Sequence, residues 1–480
     1  MSAILANHGL NFRSGWLEVP FSRWDLLAPA WTARRKLLED RGEKALYELD
    51  AFTQAATDFL TLQGLVRLDP SVWKQYRESE YDRLALVTGS VYPSPDEAHA
   101  LIHALTRAME QVQSAARSQQ ALDTGAFLSI LQTALGASPA FRTNAVNGVA
   151  LNLAPAEVEF ALGALLGEIQ TQLSAGASPI AVAAWAHHAL SRIRPFADGN
   201  ARAAFLLTNY ILWRGGLPGM LLRPSQRLPY YKSLKAADEA NLLPWGTLLL
   251  QSIQEAVLYA LSWTPAHILP REEGLQTFNQ RFADWRKLHD RERSQRIMNN
   301  RYTVFDYVEE ILRTLAAELD QKLKVEEGRG TRALVAKAYP DSPYYYQFTS
   351  DIVEYARQHG YYFNRGLPRG WFKLKFSLSA NKKYQLVFTL HHAGHEDATL
   401  VMGAFLHFLE PVKYQKRRIR RRRSPQRKEK SLYLFAPLPF YAPPIAFSIE
   451  NDVANIRPLL KEHIDALLTQ AITRIANEIY

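Results

Sequence analysis

The chain has 480 residues, of which 47% are hydrophobic and 22% charged, a globular balance that excludes wholesale disorder. This length predicts two or three domains of about 100–200 residues each. Cysteine is absent, which excludes disulfides, thiolate metal sites and a cysteine nucleophile, and we expect a cytoplasmic protein. No apolar run reaches the roughly 18 residues of a membrane span, and the N-terminus does not have the pattern of a secretory signal.

The net charge of +10 is concentrated in one segment, Lys413–Lys430. That segment holds eleven of the 57 Lys and Arg residues and one of the 47 acidic residues, so 46 of each remain elsewhere. The rest of the chain is therefore neutral, and the basic segment is a local element.

Helical periodicity is visible at about 30–65 and dominates from about 96 to 263. The helices predicted in the second of these regions cover 96–118, 125–135, 156–174, 179–192, 202–214, 228–241 and 245–263. A β-prone segment, Phe141–Pro155, interrupts them and predicts a hairpin with its turn at Asn147 and Gly148.

The pattern changes after Pro265. A charged helix is predicted at 271–323, followed by strands at 371–379, 384–392, 399–409, 432–440 and 445–450 and by an amphipathic helix at 452–479. We predict an N-terminal helical extension (1–84), a mainly α domain with a small β-hairpin flap (85–265) and an α+β C-terminal domain (266–480) with a basic insertion (413–430).

Residues 185–218 contain a polar loop between two apolar helical segments. Gly199 and Asn200 leave backbone N–H groups available at a helix N-terminus, which favours binding of an anion. Arg202 offers a guanidinium fork for phosphate, and Asp198 is a candidate ligand for a magnesium ion that bridges phosphates. The alternative is a helix–loop–helix core element in which Gly and Asn only shape the turn.

The loop sequence RPFADGNAR (194–202) closely resembles the signature of the Fic (Fido) family of AMP-transferases, His-Pro-Phe-x-[Asp/Glu]-Gly-Asn-Gly-Arg-x-x-Arg. Upstream, FRTNAVNG (141–148) resembles the flap of that family, and APAEV (154–158) follows it. The resemblance covers about 85–262 and implies a Fic-like helical fold, ATP or another nucleotide as ligand, and a magnesium ion.

The resemblance also assigns site positions. Catalytic positions fall on Arg194, Asp198 and Asn200; nucleotide or anion contacts on Phe196, Gly199, Asn200, Ala201 and Arg202; flap contacts on Thr143, Asn144 and Val146; and a magnesium ligand on Asp198.

Three signature positions depart from the family. Arg194 replaces the His that removes a proton from the target hydroxyl, and arginine has no lone pair with which to act as a base. Ala201 replaces a Gly, and its methyl group restricts a backbone expected to need a positive φ. Phe205 replaces the Arg that clamps the terminal phosphates, or it reflects simple repacking of the helix.

Several explanations of these changes stay open. The domain is either a pseudoenzyme retained for binding, or Arg194 forms a new anion contact for a different phosphorylated ligand. A substitute base would come from His187 or His188, which are otherwise core histidines. The inhibitory helix common in the family is expected near Leu84–Gly89, where its Glu is missing, and Thr106–Glu110 is a chance near-match.

The basic segment predicts DNA or RNA binding through phosphate contacts. The residues concerned are Lys416, Arg417, Arg418, Arg420, Arg421, Arg422, Arg423 and Arg427. The alternatives are an anionic membrane surface, an acidic protein, or a solvated insertion that aids solubility.

Two other clusters lie in the C-terminal part. His391, His392 and His395, with Glu396 and Asp397, indicate either a metal site or a polar hairpin tip. The aromatic segments 344–348 and 361–363 indicate either base stacking or half-buried packing.

The function predicted from the sequence is that of a bacterial Fic-fold pseudoenzyme. It binds a nucleotide or partner through its degenerate motif and nucleic acid through its C-terminal domain. The alternative is an active nucleotidyl or phosphoryl transferase with an altered donor or base, acting on a protein hydroxyl.

Overall fold

The structure is a computed structural model that describes residues 3–12, 22–66, 95–119, 121–143, 153–265, 291–327, 332–378, 383–411, 433–438, 440 and 442–479. The chain divides into two compact units, Met1–Ile268 and Leu269–Tyr480. Each unit is described by itself.

The described part of the first unit is helical. Its helices are α1 (Ala3–Asn7), α2 (Ser22–Asp40), α3 (Lys44–Gln63), α4 (Pro95–Arg117), α5 (Thr124–Leu135), α6 (Pro155–Ser174), α7 (Pro179–Ile193), α8 (Asn200–Arg214), α9 (Arg227–Asp238) and α10 (Leu243–Ser262). From α4 onward the bounds agree with the predicted helices to within three residues, because apolar residues recur there with helical periodicity.

Helices α7 and α8 form the centre of the first unit. They pack against each other, and nearly every side chain from Ile180 to Ile193 and from Arg202 to Leu212 is buried. Large aromatic side chains, among them Trp185 and Trp245, fill the surrounding core. A loop between two such buried helices is held from both sides, which gives residues 194–199 a defined conformation.

Only the ends of the predicted hairpin are described. Phe141 forms an isolated antiparallel bridge with Phe196, and residues 140–142 therefore run beside the loop that precedes α8. The predicted turn at Asn147 and Gly148 lies outside the described residues.

The second unit has α+β character, as predicted. It contains α11 (Arg291–Glu327), β1 (Arg332–Ala338), α12 (Thr349–Gln358), β2 (Gly370–Ser377), β3 (Lys383–His392), β4 (Thr399–Pro411), β5 (Tyr433–Leu438), β6 (Ile445–Ser448) and α13 (Ile456–Ile479). The strands form an antiparallel sheet in the order β1-β2-β3-β4-β5, with β6 also paired to β4. Strand β1 and helix α12 were not predicted from the sequence.

The interpretation of His391 and His392 as part of a polar hairpin tip is wrong. Both end strand β3, and both side chains are fully buried. His391 bonds the Tyr361 hydroxyl at 2.7 Å, and Arg301 Nε donates to His392 Nε2 at 3.0 Å. Burial lowers the pKa of His391 to about 3, so this imidazole is neutral at ordinary pH.

Two absences concern only the described part of the chain. Within it, no helix is long and apolar enough to cross a membrane. Within the same residues, no group of three His, Asp or Glu side chains is arranged to hold a metal ion.

Candidate functional site

The candidate site is the loop that joins α7 to α8. Helix α7 ends at Ile193, and Arg194 takes a left-handed conformation, with φ 45° and ψ 64°. Asn200 then closes the loop, since its Oδ1 accepts from Phe196 N at 2.9 Å and its Nδ2 donates to Phe196 O at 2.7 Å. The asparagine side chain therefore shapes the loop with both halves of its amide group.

Gly199 is required by the turn into α8. Its backbone φ is 80°, a value that residues other than glycine rarely adopt. A Cβ added at this position would lie 2.6 Å from Cδ2 of Leu135, at the end of α5. The loop is thus held closely against α5, and both the turn and this approach exclude a larger residue.

Ala201 does not need a positive φ. It is the second residue of α8, and it is not among the described residues with positive φ. The expectation that its methyl group strains the backbone is therefore wrong.

Arg202 lies largely buried beneath the loop. Its Nη1 donates to the carbonyl of Ala134 at 3.3 Å, and its Nη2 donates to Asp198 Oδ2 at 3.2 Å. Burial lowers the pKa of Arg202, while the Asp198 carboxylate acts in the opposite direction. Both terminal nitrogens of the predicted phosphate fork thus contact the protein, whereas the side chain of Asp198 is 90% exposed.

The Arg194 side chain is half-buried. Within the described residues its guanidinium makes no hydrogen bond or ion pair. A cation without a partner, on a loop that ends at a helix N-terminus, favours an anion as ligand. The same group cannot accept a proton.

Arg142 anchors the loop, and sequence reasoning missed it. Its backbone N–H donates to Pro195 O at 3.0 Å, and its side chain donates to Arg194 O at 3.1 Å and to Leu153 O at 3.0 Å. The side chain is buried, and Phe141 beside it stacks on Phe196 with ring centroids 5.6 Å apart. In the sequence this arginine has no feature that distinguishes it from a surface arginine.

Phe205 lies in the core of the first unit. Its ring is fully buried and stacks on Phe59 of α3, with centroids 4.2 Å apart and an angle of 19° between the planes. The side chain at position 205 therefore serves core packing, in agreement with the alternative that this part of the helix has repacked. The segment expected to correspond to the inhibitory helix, Leu84–Gly89, lies outside the described residues.

The two histidines of α7 are core residues. His187 bonds Thr208 Oγ1 at 2.8 Å and the Tyr230 hydroxyl at 2.9 Å, and burial lowers its pKa to about 3. His188 bonds Asp238 at 3.0 Å. Both imidazoles are hydrogen-bonded to these partners, so the geometry does not favour either histidine as a substitute base.

The remaining predicted site residues are mostly beyond what the structure describes. Thr143 is exposed at the end of a described segment. Asn144, Val146 and all the basic residues of 413–430 lie outside the described residues, and their assignments stay predictions.

Comparison with known proteins agrees with the motif. Residues 121–212 match the family model described as Fic/DOC family. The chain therefore carries a Fic domain. Over 103 residues it is 34% identical to the protein adenylyltransferase Fic of Drosophila persimilis, covering 21% of this chain and 20% of that protein, and equally identical to the Drosophila melanogaster protein, of which it covers 21%.

The likeness extends over a limited part of these relatives. The chain spans about a fifth of the length of these relatives. Among solved structures, a Fic domain containing signaling protein from Bacteroides thetaiotaomicron has 19% identity and a TM-score of 0.40, covering 50% of this chain and 97% of that one. Fic-1 from C. elegans has 20% identity and a TM-score of 0.39, with 49% and 70% covered.

Proposed function

We propose that the Fic domain binds an anionic, nucleotide-like ligand at the 194–202 loop and does not transfer AMP by the usual route. The observation that carries this proposal is Arg194, a cation with no partner among the described residues at the position of the family's base. Phe205 supports it, because a buried ring cannot clamp a terminal phosphate.

Thermal unfolding of the full chain with Mg-ATP, other nucleotides and pyrophosphate tests ligand binding. We expect at least one of them to raise the melting temperature of the wild type. Arg194→Ala should weaken that binding about tenfold, the size of one charge-assisted contact. Arg192→Ala is the matched control, because this guanidinium lies two residues away and is paired with Asp238 at 3.0 Å.

Labelling with ATP that carries its label on the α-phosphate tests transfer. We expect no covalent label on the chain or on added proteins. Incorporated label would contradict the proposal and favour an active transferase with an altered base. The absence of any nucleotide effect on melting would instead leave the loop as a purely structural element.

We further propose that the second unit binds single-stranded nucleic acid. The concentration of the whole net charge in 413–430 favours this, and so does a group of aromatic residues beside a buried cation. The rings of Tyr344 and Tyr346 are 67% and 75% exposed. Arg369, only 2% exposed, lies over Tyr345 at 4.4 Å, and its Nε has no hydrogen-bond partner among the described residues.

Fluorescence anisotropy with labelled DNA and RNA oligonucleotides at several salt concentrations tests this second proposal. Deleting 413–430 should abolish binding. For the wild type, the logarithm of the binding constant should fall with the logarithm of the salt concentration, with a slope of about −0.7 per phosphate contacted. Tyr346→Ala should weaken binding about fivefold through lost stacking, whereas Tyr231→Ala, which removes an exposed ring from the first unit, should not. Binding that survives the deletion or shows no salt dependence contradicts the proposal.

A further inference from the structure

The first unit has a second concave site at the opposite end of α8 from the motif loop. It is a cavity of about 130 Å³ bounded by α2, α3, α4, the end of α8 with the chain that follows it, and α10. Residues of the 194–202 loop do not line it. It is therefore separate from the candidate nucleotide site, although α8 contributes to both.

Large apolar side chains line this cavity, and five of them are aromatic. They are Trp31, Tyr47, Phe52, Trp213 and Tyr259, together with Met109. Trp31 Nε1 donates to the carbonyl of Gly216 at 3.0 Å, and the Phe52 ring lies 5.1 Å from that of Trp213. These contacts hold the rings in place, so the cavity is formed before a ligand arrives.

The volume of the cavity sets the size of its ligand. An apolar cavity of about 150 Å³ in another protein accommodates benzene. A cavity of about 130 Å³ with this lining therefore suits one aromatic ring or a branched alkyl group of similar size.

Four charged side chains also line the cavity, and we call them its rim. They are Arg35, Lys44, Glu48 and Arg117. Lys44 bonds Glu39 and Arg117 bonds Glu48, which leaves one cation in excess. Arg35 is exposed and makes no hydrogen bond or ion pair within the described residues.

The pKa of Glu39 is consistent with this excess of positive charge. Its hydrogen bond with Lys44 lowers the pKa of the Glu39 carboxyl most, and Arg35 and Arg117 lower it further. The three cations thus act on the same carboxylate. A rim with one surplus positive charge selects a ligand with one negative charge.

We propose that this cavity binds a small monoanion whose single aromatic or branched apolar group enters the aromatic-lined space and whose carboxylate contacts Arg35. The apolar part supplies affinity through burial, and the rim supplies selectivity for charge. This site does not depend on the nucleotide proposal, because the two share no lining residue.

Isothermal titration of the full chain with three matched probes tests the charge selectivity. Phenylacetate carries the ring and a negative charge, 2-phenylethanol has the ring without charge, and phenethylamine has the ring with a positive charge. We expect phenylacetate to bind with a Kd of about 0.1–1 mM, a range reached by ligands of this size. 2-Phenylethanol should bind about fivefold more weakly, and phenethylamine more weakly still.

Variants locate the binding. Ala256→Leu places three additional carbons in the cavity and should abolish binding of both phenylacetate and 2-phenylethanol. Arg35→Gln should weaken the binding of phenylacetate about fivefold and leave the binding of 2-phenylethanol unchanged. Lys36 is the neighbouring exposed residue and does not line the cavity, so Lys36→Gln should change the binding of neither probe.

The proposal is overturned if the wild type shows no saturable binding of phenylacetate, or if Ala256→Leu, folded by its melting curve, binds it as well as the wild type. It is equally overturned if Arg35→Gln and Lys36→Gln have the same effect. Should Ala256→Leu fail to fold, the Arg35 and Lys36 variants still decide the question, because both side chains are exposed.

Discussion

Replacing Gly199 by alanine perturbs the motif loop in two separable ways. The first is conformational: at φ 80° an L-residue is less stable than glycine by about 1–2 kcal/mol. The second is steric, because the new Cβ would lie 2.6 Å from Leu135 Cδ2 and overpacking of this kind costs about 1–3 kcal/mol. We expect Gly199→Ala to lower the free energy of unfolding of the first unit by about 2–5 kcal/mol.

Gly136→Ala is the matched control for the conformational part. Gly136 follows Leu135 directly and has φ 69°, but a Cβ there would meet nothing within 4 Å. Its substitution should therefore cost only about 1–2 kcal/mol. The difference between the two variants gives the steric cost at Gly199.

Urea unfolding at constant pH measures the free energy of unfolding of both variants. The midpoints are compared using one common value for the dependence of this free energy on urea concentration. Leu135→Ala added to Gly199→Ala should recover most of the steric cost, so a double-mutant cycle should show a favourable coupling of about 1–3 kcal/mol. Equal losses for Gly199→Ala and Gly136→Ala, with no coupling to Leu135, would refute the reasoning that the loop is held against α5.

Three other predictions concern the same unit. Arg142→Leu should destabilise it by about 2–4 kcal/mol in urea, because a buried carbonyl (Leu153) and a part-buried one (Arg194) lose their donors; a loss below about 1 kcal/mol would contradict the anchoring role. Phe205→Arg, which restores the family residue, should destabilise by about 4 kcal/mol or more because a guanidinium would be buried against Phe59, and a melting temperature equal to that of the wild type would show this wrong. Burial raises the pKa of Glu255 to about 7 despite its 2.8 Å bond to Arg223. A raised carboxyl pKa contributes stability that is fully present below about pH 4 and is lost as the pH rises through about 7. Glu255→Gln should therefore reduce the fall in the free energy of unfolding between pH 5 and pH 8 by up to about 3 kcal/mol. Melting temperatures of wild type and variant that change in parallel with pH would count against this.

The local pattern of apolar residues in the sequence was sufficient to predict most of the helices and strands. The apolar residues of α7 and α8 recur densely at helical spacing and predicted helices, and the short apolar segments 384–392 and 399–409 predicted the strands β3 and β4. Strand β1 was missed because its sequence, RALVAKA, consists largely of residues that favour a helix, and it is a strand through its pairing with β2. Helix α12 was also missed.

In the candidate site, too, features set by nearby residues were predictable from the sequence, and features set by tertiary contacts were not. The sequence indicated that Gly199 and Asn200 shape the turn, because the turn depends on residues within five positions. The close approach of Gly199 to Leu135 is a tertiary contact that the sequence did not indicate. The anchoring by Arg142 depends on Arg194 O, which is 52 residues away in the chain, and no local pattern contains that information. The stack of Phe205 on Phe59 is likewise a tertiary contact. The sequence therefore left two alternatives open at that position, the loss of a phosphate-clamping Arg and repacking of the helix.

The anchoring by Arg142 also has a consequence for protein engineering. One guanidinium holds the chain at Leu153 and at Arg194, while its own backbone is paired with Pro195. Arg142 therefore ties together two points of the described chain, its own position and Leu153, and both lie beside the motif loop. Since doubling the length of chain between two fixed points adds only about 0.6 kcal/mol of closure entropy, lengthening the chain between Arg142 and Leu153 is a direct way to place a foreign epitope or a recognition peptide beside the motif loop.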